Sequence, residues 1–382
     1  MNEIDRVHIG FFGLRNAGKS SVVNAVTGQN TALVSEYKGT TTDPVKKTME
    51  LLPIGPVMIV DTPGIDDEGE LGKMRITRAY DTLNLVDIAV LVTENTELSD
   101  IEKALLTKIE QKGVPYIVVH NKADIVNHTG FAVSAKTGEG INELKEKIAS
   151  LTKRDSSKKI VSDLLDEGDI ALLVTPIDAS APKGRLILPQ QQTIRDIIDK
   201  NAVAVCTQIA TLEKTLERVK PKIVITDSQA FGEVSKIVPN DIPLTSFSIL
   251  MARFKGDLAG AVAGAFALDN LKDGDTVLIS EGCTHHRQCE DIGTVKMPAW
   301  VKKYTGKGIK FEFTSGGDFP EDMSKYALCI HCGGCMLTPR QMKYRAGLSA
   351  DRNVPMTNYG IAIAHMHGIL KRSIKPFPEF EK

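Results

Sequence analysis

Apolar residues along this chain fall into short continuous runs, separated by stretches in which they recur at helical spacing. Runs at Val7–Phe12, 57–60, 116–119 and 131–133 predict strands, since a short unbroken apolar run suits a strand covered on both faces. After a charged, aromatic-poor stretch at 151–169, strand runs at 170–174, 203–206, 223–226 and 245–249 alternate with helical patterns at 191–198, 211–219 and 231–238. That alternation predicts a parallel sheet with helical cover. An alanine-rich helix at 258–271 follows, then strands at 276–279, 310–313 and 326–330, and a helical segment at 356–370. The expected architecture is α/β throughout, in three domains at 1–160, 165–265 and 266–382.

Composition changes this picture little. Apolar residues are 42% and charged residues 25%, ordinary for a globular chain of 382 residues. A net charge of −1 offers no electrostatic case for nucleic acid or an anionic membrane. The longest apolar run, at 258–268, is too short to cross a bilayer. No export signal precedes the first strand, so the expected setting is cytoplasmic and reducing. Six cysteines, most of them towards one end, then favour metal over disulfides. Cys206 lies in an apolar strand run and reads as a small buried hydrophobe.

Chemistry enters directly after the first strand. Gly13-Leu14-Arg15-Asn16-Ala17-Gly18-Lys19-Ser20, continued by Ser21, is a GxxxxGKS phosphate loop opening a helix on which Val22, Val23 and Val26 repeat. Its glycines let backbone N–H groups turn towards a phosphate, and the helix N-terminus adds partial positive charge. Lys19 is placed to bridge β- and γ-phosphates and Ser20 to ligate Mg²⁺. The loop alone does not choose between ATP and GTP.

Four later elements choose. Gly39-Thr40-Thr41-Thr42-Asp43 offers a threonine hydroxyl, assigned to Thr41, for the second Mg²⁺ position. Asp61-Thr62-Pro63-Gly64 ends a strand, with Asp61 holding Mg²⁺ through water and the Gly64 N–H sensing the γ-phosphate. Asn121-Lys122-Ala123-Asp124 ends another strand, and Asp124 can accept from guanine N1–H and its exocyclic amine. Ser134-Ala135-Lys136 offers a backbone N–H to guanine O6. These five elements, in this order, match the G-domain family of GTPases. Ile65 stands where Ras-like enzymes carry a water-orienting glutamine, so slow intrinsic hydrolysis, or a water positioned from elsewhere, is expected. Asn16 and the Gly39-Thr40-Thr41 run resemble the TrmE-like branch, in which the matching asparagine helps bind K⁺; a cation there makes electrostatic sense.

The C-terminal part carries a second constellation. Cys283-Thr284-His285-His286 and Cys329-Ile330-His331-Cys332-Gly333-Gly334-Cys335 each follow or end a predicted strand. The Cys332-x-x-Cys335 spacing suits tetrahedral zinc and an iron–sulfur cluster equally. His285 or His331 could close a zinc site, whereas an open iron corner would let a second metal fragment dock. Cys289, Cys329 and Glu281 lie close by as further candidate donors; for the two cysteines, ordinary packing is the simpler account. His365 and His367 read as structural.

A G domain with Asn16, an α/β domain, and then Cys-x-His followed by His-Cys-x-x-Cys resemble the FeFe-hydrogenase maturation GTPases over essentially the whole chain. The resemblance implies a 4Fe–4S cluster on Cys283, Cys332 and Cys335, with an exchangeable fourth ligand near His285 or His331. It implies a scaffold and carrier that receives a diiron precursor from two radical-SAM partner enzymes and delivers it to the hydrogenase apoprotein. It further implies a homodimer formed by the middle domain, with GTP hydrolysis linked to partner exchange. The fold class on this reading is a P-loop GTPase domain, a Rossmann-like parallel domain and an α/β metallocluster-binding domain. The competing reading is a tRNA-modification or ribosome-assembly GTPase with a structural zinc site. The near-neutral charge, without a basic patch for RNA, speaks against it.

Overall fold

The computed structural model describes residues 6–28, 45–65, 69–152, 159–177, 184, 186–282, 291–316, 318–335 and 337–380. Two compact units divide the chain, Met1–Asp155 and Ser156–Lys382. Among the described residues no helix is long and apolar enough to cross a membrane.

The first unit is built on a five-stranded sheet. Its strands are β1 (Val7–Phe12), β2 (Val45–Leu51), β3 (Gly55–Asp61), β4 (Ile88–Thr93) and β5 (Tyr116–His120), in the order β2-β3-β1-β4-β5. All neighbours run parallel except β2, which pairs antiparallel with β3 at the edge. All six residues of β4 are buried, as expected for a strand between two helical layers. The chain leaves β1 first towards β3 and later towards β4 on the other side. The end of β1 is therefore a switch point, the position where open α/β sheets bind ligands.

The second unit holds two parallel four-stranded sheets. One contains β6 (Ile170–Val174), β7 (Val203–Thr207), β8 (Ile223–Thr226) and β9 (Leu244–Ser246), in the order β7-β6-β8-β9. The other contains β10 (Thr276–Ser280), β11 (Lys310–Thr314), β12 (Leu328–His331) and β13 (Met356–Asn358), in the order β11-β10-β12-β13. One apolar cluster joins Leu173 and Ile225 of the first of these sheets to Ile361, Leu370 and Phe377 near the C-terminus. The switch point of the second sheet lies between β10 and β12.

Four expectations change here. The strand expected at 245–249 is only Leu244–Ser246, because the Ser246 hydroxyl accepts from the Ile249 N–H and starts the helix Phe247–Lys255. The helical segment expected at 356–370 opens as β13, and Asn358 caps the helix Tyr359–Met366 in the same way. Cys206 is exposed, since β7 is an edge strand with only its last residue buried. Residues 131–133 form only an isolated bridge, from Ala132 to His120.

Candidate functional site

The end of β1 gathers most of the first constellation. Asn16 and Gly18 both adopt left-handed backbone conformations, with φ of 63° and 86°. A Cβ on Gly18 would lie 2.2 Å from the Asn121 side-chain nitrogen, so the loop closes there only with glycine. Lys19 begins the helix Lys19–Thr27 and turns back over the loop, its Nζ donating to the carbonyls of Gly13 (3.1 Å) and Leu14 (2.8 Å).

Asp61 arrives from the neighbouring strand β3. Its Oδ2 accepts from the Ser20 hydroxyl at 2.9 Å, and its Oδ1 is buried with no hydrogen-bond partner among the described residues. Burial holds this carboxyl above its ordinary range, against the opposing pull of Ser20 and Lys19. A serine hydroxyl paired with an aspartate that keeps a buried, unsatisfied oxygen is a donor set that suits Mg²⁺. Thr62 anchors the strand end, its N–H and hydroxyl both reaching the Phe11 carbonyl. Gly64 packs its backbone on Arg15 of the loop; an added Cβ would meet Arg15 Cα at 3.0 Å. The next residue, Ile65, is 2% exposed within the core, so this position presents no side chain to a water.

Asn121 ties the loop that follows β5 and the Ser134–Lys136 loop to the Gly13–Ser20 loop. Its Nδ2 donates to the Ala17 carbonyl at 3.1 Å, and its Oδ1 accepts from the Ala135 N–H at 3.2 Å. Asp124 accepts from the Ser134 hydroxyl at 2.8 Å, joining the two loops a second time. Lys122 takes a left-handed conformation (φ 66°) and pairs with Glu94, a partner that no motif announces. Lys136 is exposed on the same loop as Ala135. Thr41 lies outside the described residues.

The second constellation sits at the C-terminal ends of β10 and β12. These strands are adjacent and parallel, with Ser280 in register with His331, so the loops that follow them leave side by side. Cys332 Sγ accepts from the Gly282 N–H at 3.1 Å and the Gly334 N–H at 3.4 Å. Burial pushes the Cys332 thiol up to about 11, while those two amides pull it back. Gly334 has φ of 61°, and a Cβ there would lie 2.6 Å from Met342 Sδ. Cys335, half-buried, completes the turn. The buried Lys255, at the end of its helix, donates to the carbonyls of Cys335 (2.9 Å), Leu337 (3.2 Å) and Gly334 (3.4 Å).

His331 is fully buried with both ring nitrogens engaged. Nδ1 lies 2.8 Å from the Cys332 carbonyl and Nε2 lies 2.9 Å from Arg345 Nη1. Since a guanidinium only donates, Nε2 accepts and Nδ1 carries the proton. Burial, reinforced by Arg345, pushes His331 down to about 3. Glu281 is buried beside the loop and accepts from the Tyr359 hydroxyl at 3.2 Å. Cys329 belongs to an apolar cluster with Leu278, Met323 and Tyr326, and burial pushes its thiol up to about 12. Cys283 and His285 lie outside the described residues. Among those described, no three His, Cys, Asp or Glu side chains converge as a metal set.

Family comparison now decides the class. Residues 160–256 match the model described as the hydrogen maturase F dimerization domain, and 259–376 match the hydrogen maturase F tetramerization domain. The chain belongs to the hydrogen maturase F family. Residues 8–122 match the model described as a 50S ribosome-binding GTPase, which gives this family member a G domain of the TrmE-like kind. The chain is 32% identical over 168 residues to the tRNA modification GTPase MnmE of Dichelobacter nodosus, covering 41% of this chain and 37% of that protein. It is 34% identical over 131 residues to GTPase Der of Kosmotoga olearia, covering 33% and 29%. The chain thus spans about a third of the length of the curated relatives it matches. Among solved structures, the G domain of the T. maritima FeoB iron transporter covers 39% of this chain and 99% of its own at 24% identity and TM-score 0.31, too low to carry an argument.

Proposed function

We propose that this maturase-family chain is a slow, K⁺-activated GTPase that carries a 4Fe–4S cluster and serves as the scaffold for a diiron precursor. Cys283, Cys332 and Cys335 would hold the cluster, which when bound supplies an iron corner with an exchangeable position. The observation that carries this reading is the Cys332 thiol at the β10–β12 switch point. Two backbone amides point at its sulfur, and the segment bearing Cys283 leaves the adjacent strand end. Amide donors stabilise a thiolate ligand and lower the charge that a bound cluster presents.

The remaining residues divide the work. Lys255 fixes the carbonyls of the Cys332–Cys335 turn, and Arg345 holds His331 so that neither ring nitrogen is free in this conformation. The fourth position then falls to His285, to Glu281, to His331 after rearrangement, or to an exogenous ligand. On the nucleotide side, Lys19, Ser20, Thr41, Asp61 and Gly64 would hold Mg²⁺ and the phosphates. Asn121, Lys122, Asp124 and the Ser134–Lys136 loop would hold guanine, and Asn16 would hold K⁺. With Ile65 buried, that position offers no side chain to orient the attacking water, and K⁺ held by Asn16 would add positive charge at the phosphates beside Lys19 and Mg²⁺. Two radical-SAM enzymes and the hydrogenase apoprotein are the expected partners, and a cytoplasmic homodimer the expected form.

Substitution tests this reading. Cys332→Ser should abolish iron binding by the anaerobically prepared protein while hydrolysis continues; full iron retention would remove the assignment. Exchanging K⁺ for Na⁺ should slow GTP hydrolysis by at least about tenfold, given what a positioned charge contributes at a phosphate. Equal rates would remove the role given to Asn16.

A further inference from the structure

The helix Pro339–Asp351 starts soon after the cysteine turn, where the Thr338 hydroxyl accepts from the Gln341 N–H and the Gln341 side chain accepts from the Thr338 N–H. Arg345 lies on its second turn and is 4% exposed. Its Nη1 donates to the Ser280 hydroxyl at 3.2 Å and to His331 Nε2 at 2.9 Å, and its Nη2 donates to the Gly316 carbonyl. The side chain therefore ties the ends of β10 and β12 to the loop that follows β11, on the edge of the sheet where ligands bind. The Phe319 ring covers it, with its centroid 5.0 Å from the guanidinium carbon.

These contacts use three of the five guanidinium N–H groups, and among the described residues every acceptor is neutral. Burying a charge among neutral partners costs free energy that hydrogen bonds recover only in part, so the site rewards negative charge brought close to it. Burial pulls the guanidinium's pKa down, and Cys332, Cys329 and Asp318, in that order, oppose the pull. Asp318 is exposed, where solvent screens it. Cys329 packs in an apolar cluster with Leu278 and Met323, and burial holds its thiol uncharged. The Cys332 sulfur, by contrast, receives the Gly282 and Gly334 N–H groups, so negative charge is accommodated there.

We propose that Arg345 is the buried counter-charge for the thiolates of the metal centre, and that it governs how readily the bound cluster takes up an electron. This role rests on the cluster reading given above, and Arg345 itself binds no metal. One-electron reduction, with dithionite as the donor, adds one negative charge to the cluster and its thiolates, and a fixed positive charge close by favours that state. A purely structural Arg345 would instead hold the strand ends together and leave the reduction potential alone.

Potentiometric titration of the anaerobically prepared full chain, followed by the paramagnetic resonance of the reduced cluster, separates the two. Arg345→Gln keeps an N–H donor but removes the charge, whereas Arg345→Lys keeps the charge and gives up the fork. At the potential where the unsubstituted cluster is half reduced, the ratio of reduced to oxidised cluster should drop roughly tenfold in Arg345→Gln. Arg345→Lys should stay close to the unsubstituted chain. An unchanged ratio in Arg345→Gln with iron retained, or an equal drop in both variants, would overturn the proposal. Should Arg345→Gln lose iron, substitutions of Phe319 decide. Phe319→Glu leaves Arg345 in place and offers its charge a carboxylate, so the ratio should drop there and hold in Phe319→Gln. Equal ratios in those two variants would overturn the proposal as firmly. An unsubstituted chain that holds iron and sulfide under no preparation would sink the cluster reading itself, and this role with it.

Discussion

Asp61 shows how a single residue can be held against its own preference. Its carboxylate is buried with one oxygen unpartnered among the described residues, and burial raises its pKa. A carboxyl whose folded pKa exceeds its unfolded value binds its proton more tightly in the native state. The metal-free protein therefore gains stability as pH falls through that raised value and loses it above. Asp61→Asn should accordingly melt higher than the unsubstituted chain in magnesium-free buffer at neutral pH, with the gap closing as pH falls. The same substitution should cost Mg²⁺-dependent hydrolysis at least about a hundredfold. A lower melting temperature for the variant at neutral pH would contradict the account of Asp61 as a charge held in place for a metal.

The deciding element is the pair of adjacent parallel strands β10 and β12, with the Pro339–Asp351 helix supplying Arg345 behind them. His331 ends β12 with both ring nitrogens in use, so its first role is to lock the strand end to that helix. His331→Ala should retain iron while lowering stability by about 1–3 kcal/mol, because Arg345 loses a buried acceptor. Complete loss of iron would instead make the histidine a required ligand. Much of this element is legible in the sequence: the Cys-x-x-Cys spacing, the glycine pair, and strands ending at both ligand runs. What could not be read was β13, three residues long, because so short a strand has no period to distinguish it from the helix that Asn358 caps. The strand β2 escaped for a related reason, its apolar residues being too few to form a run. Lys255 was hidden differently: the run at 245–249 reads as a strand until Ser246 is seen to start a helix that ends on the cysteine turn. The phosphate loop, the Asp61–Gly64 run and the Asn121–Asp124 run were the easiest to read, since each sits where a buried strand gives way to glycine or to a polar turn.

Across the whole molecule, the nucleotide residues lie in the unit Met1–Asp155 and the cysteine turn in the unit Ser156–Lys382. Each has its own core, so chemistry at one should not depend on ligands at the other. Lys19→Ala should abolish GTP hydrolysis, by at least about a hundredfold, while leaving iron content unchanged; joint loss would tie the two sites together. The central claim, that the C-terminal cysteines carry an iron–sulfur cluster, is tested most directly by analysing the protein after anaerobic purification. Iron and sulfide in equal amounts, broad visible absorbance and a paramagnetic resonance signal on reduction are the predicted result. Zinc at one equivalent, with no visible absorbance and no signal, would contradict it.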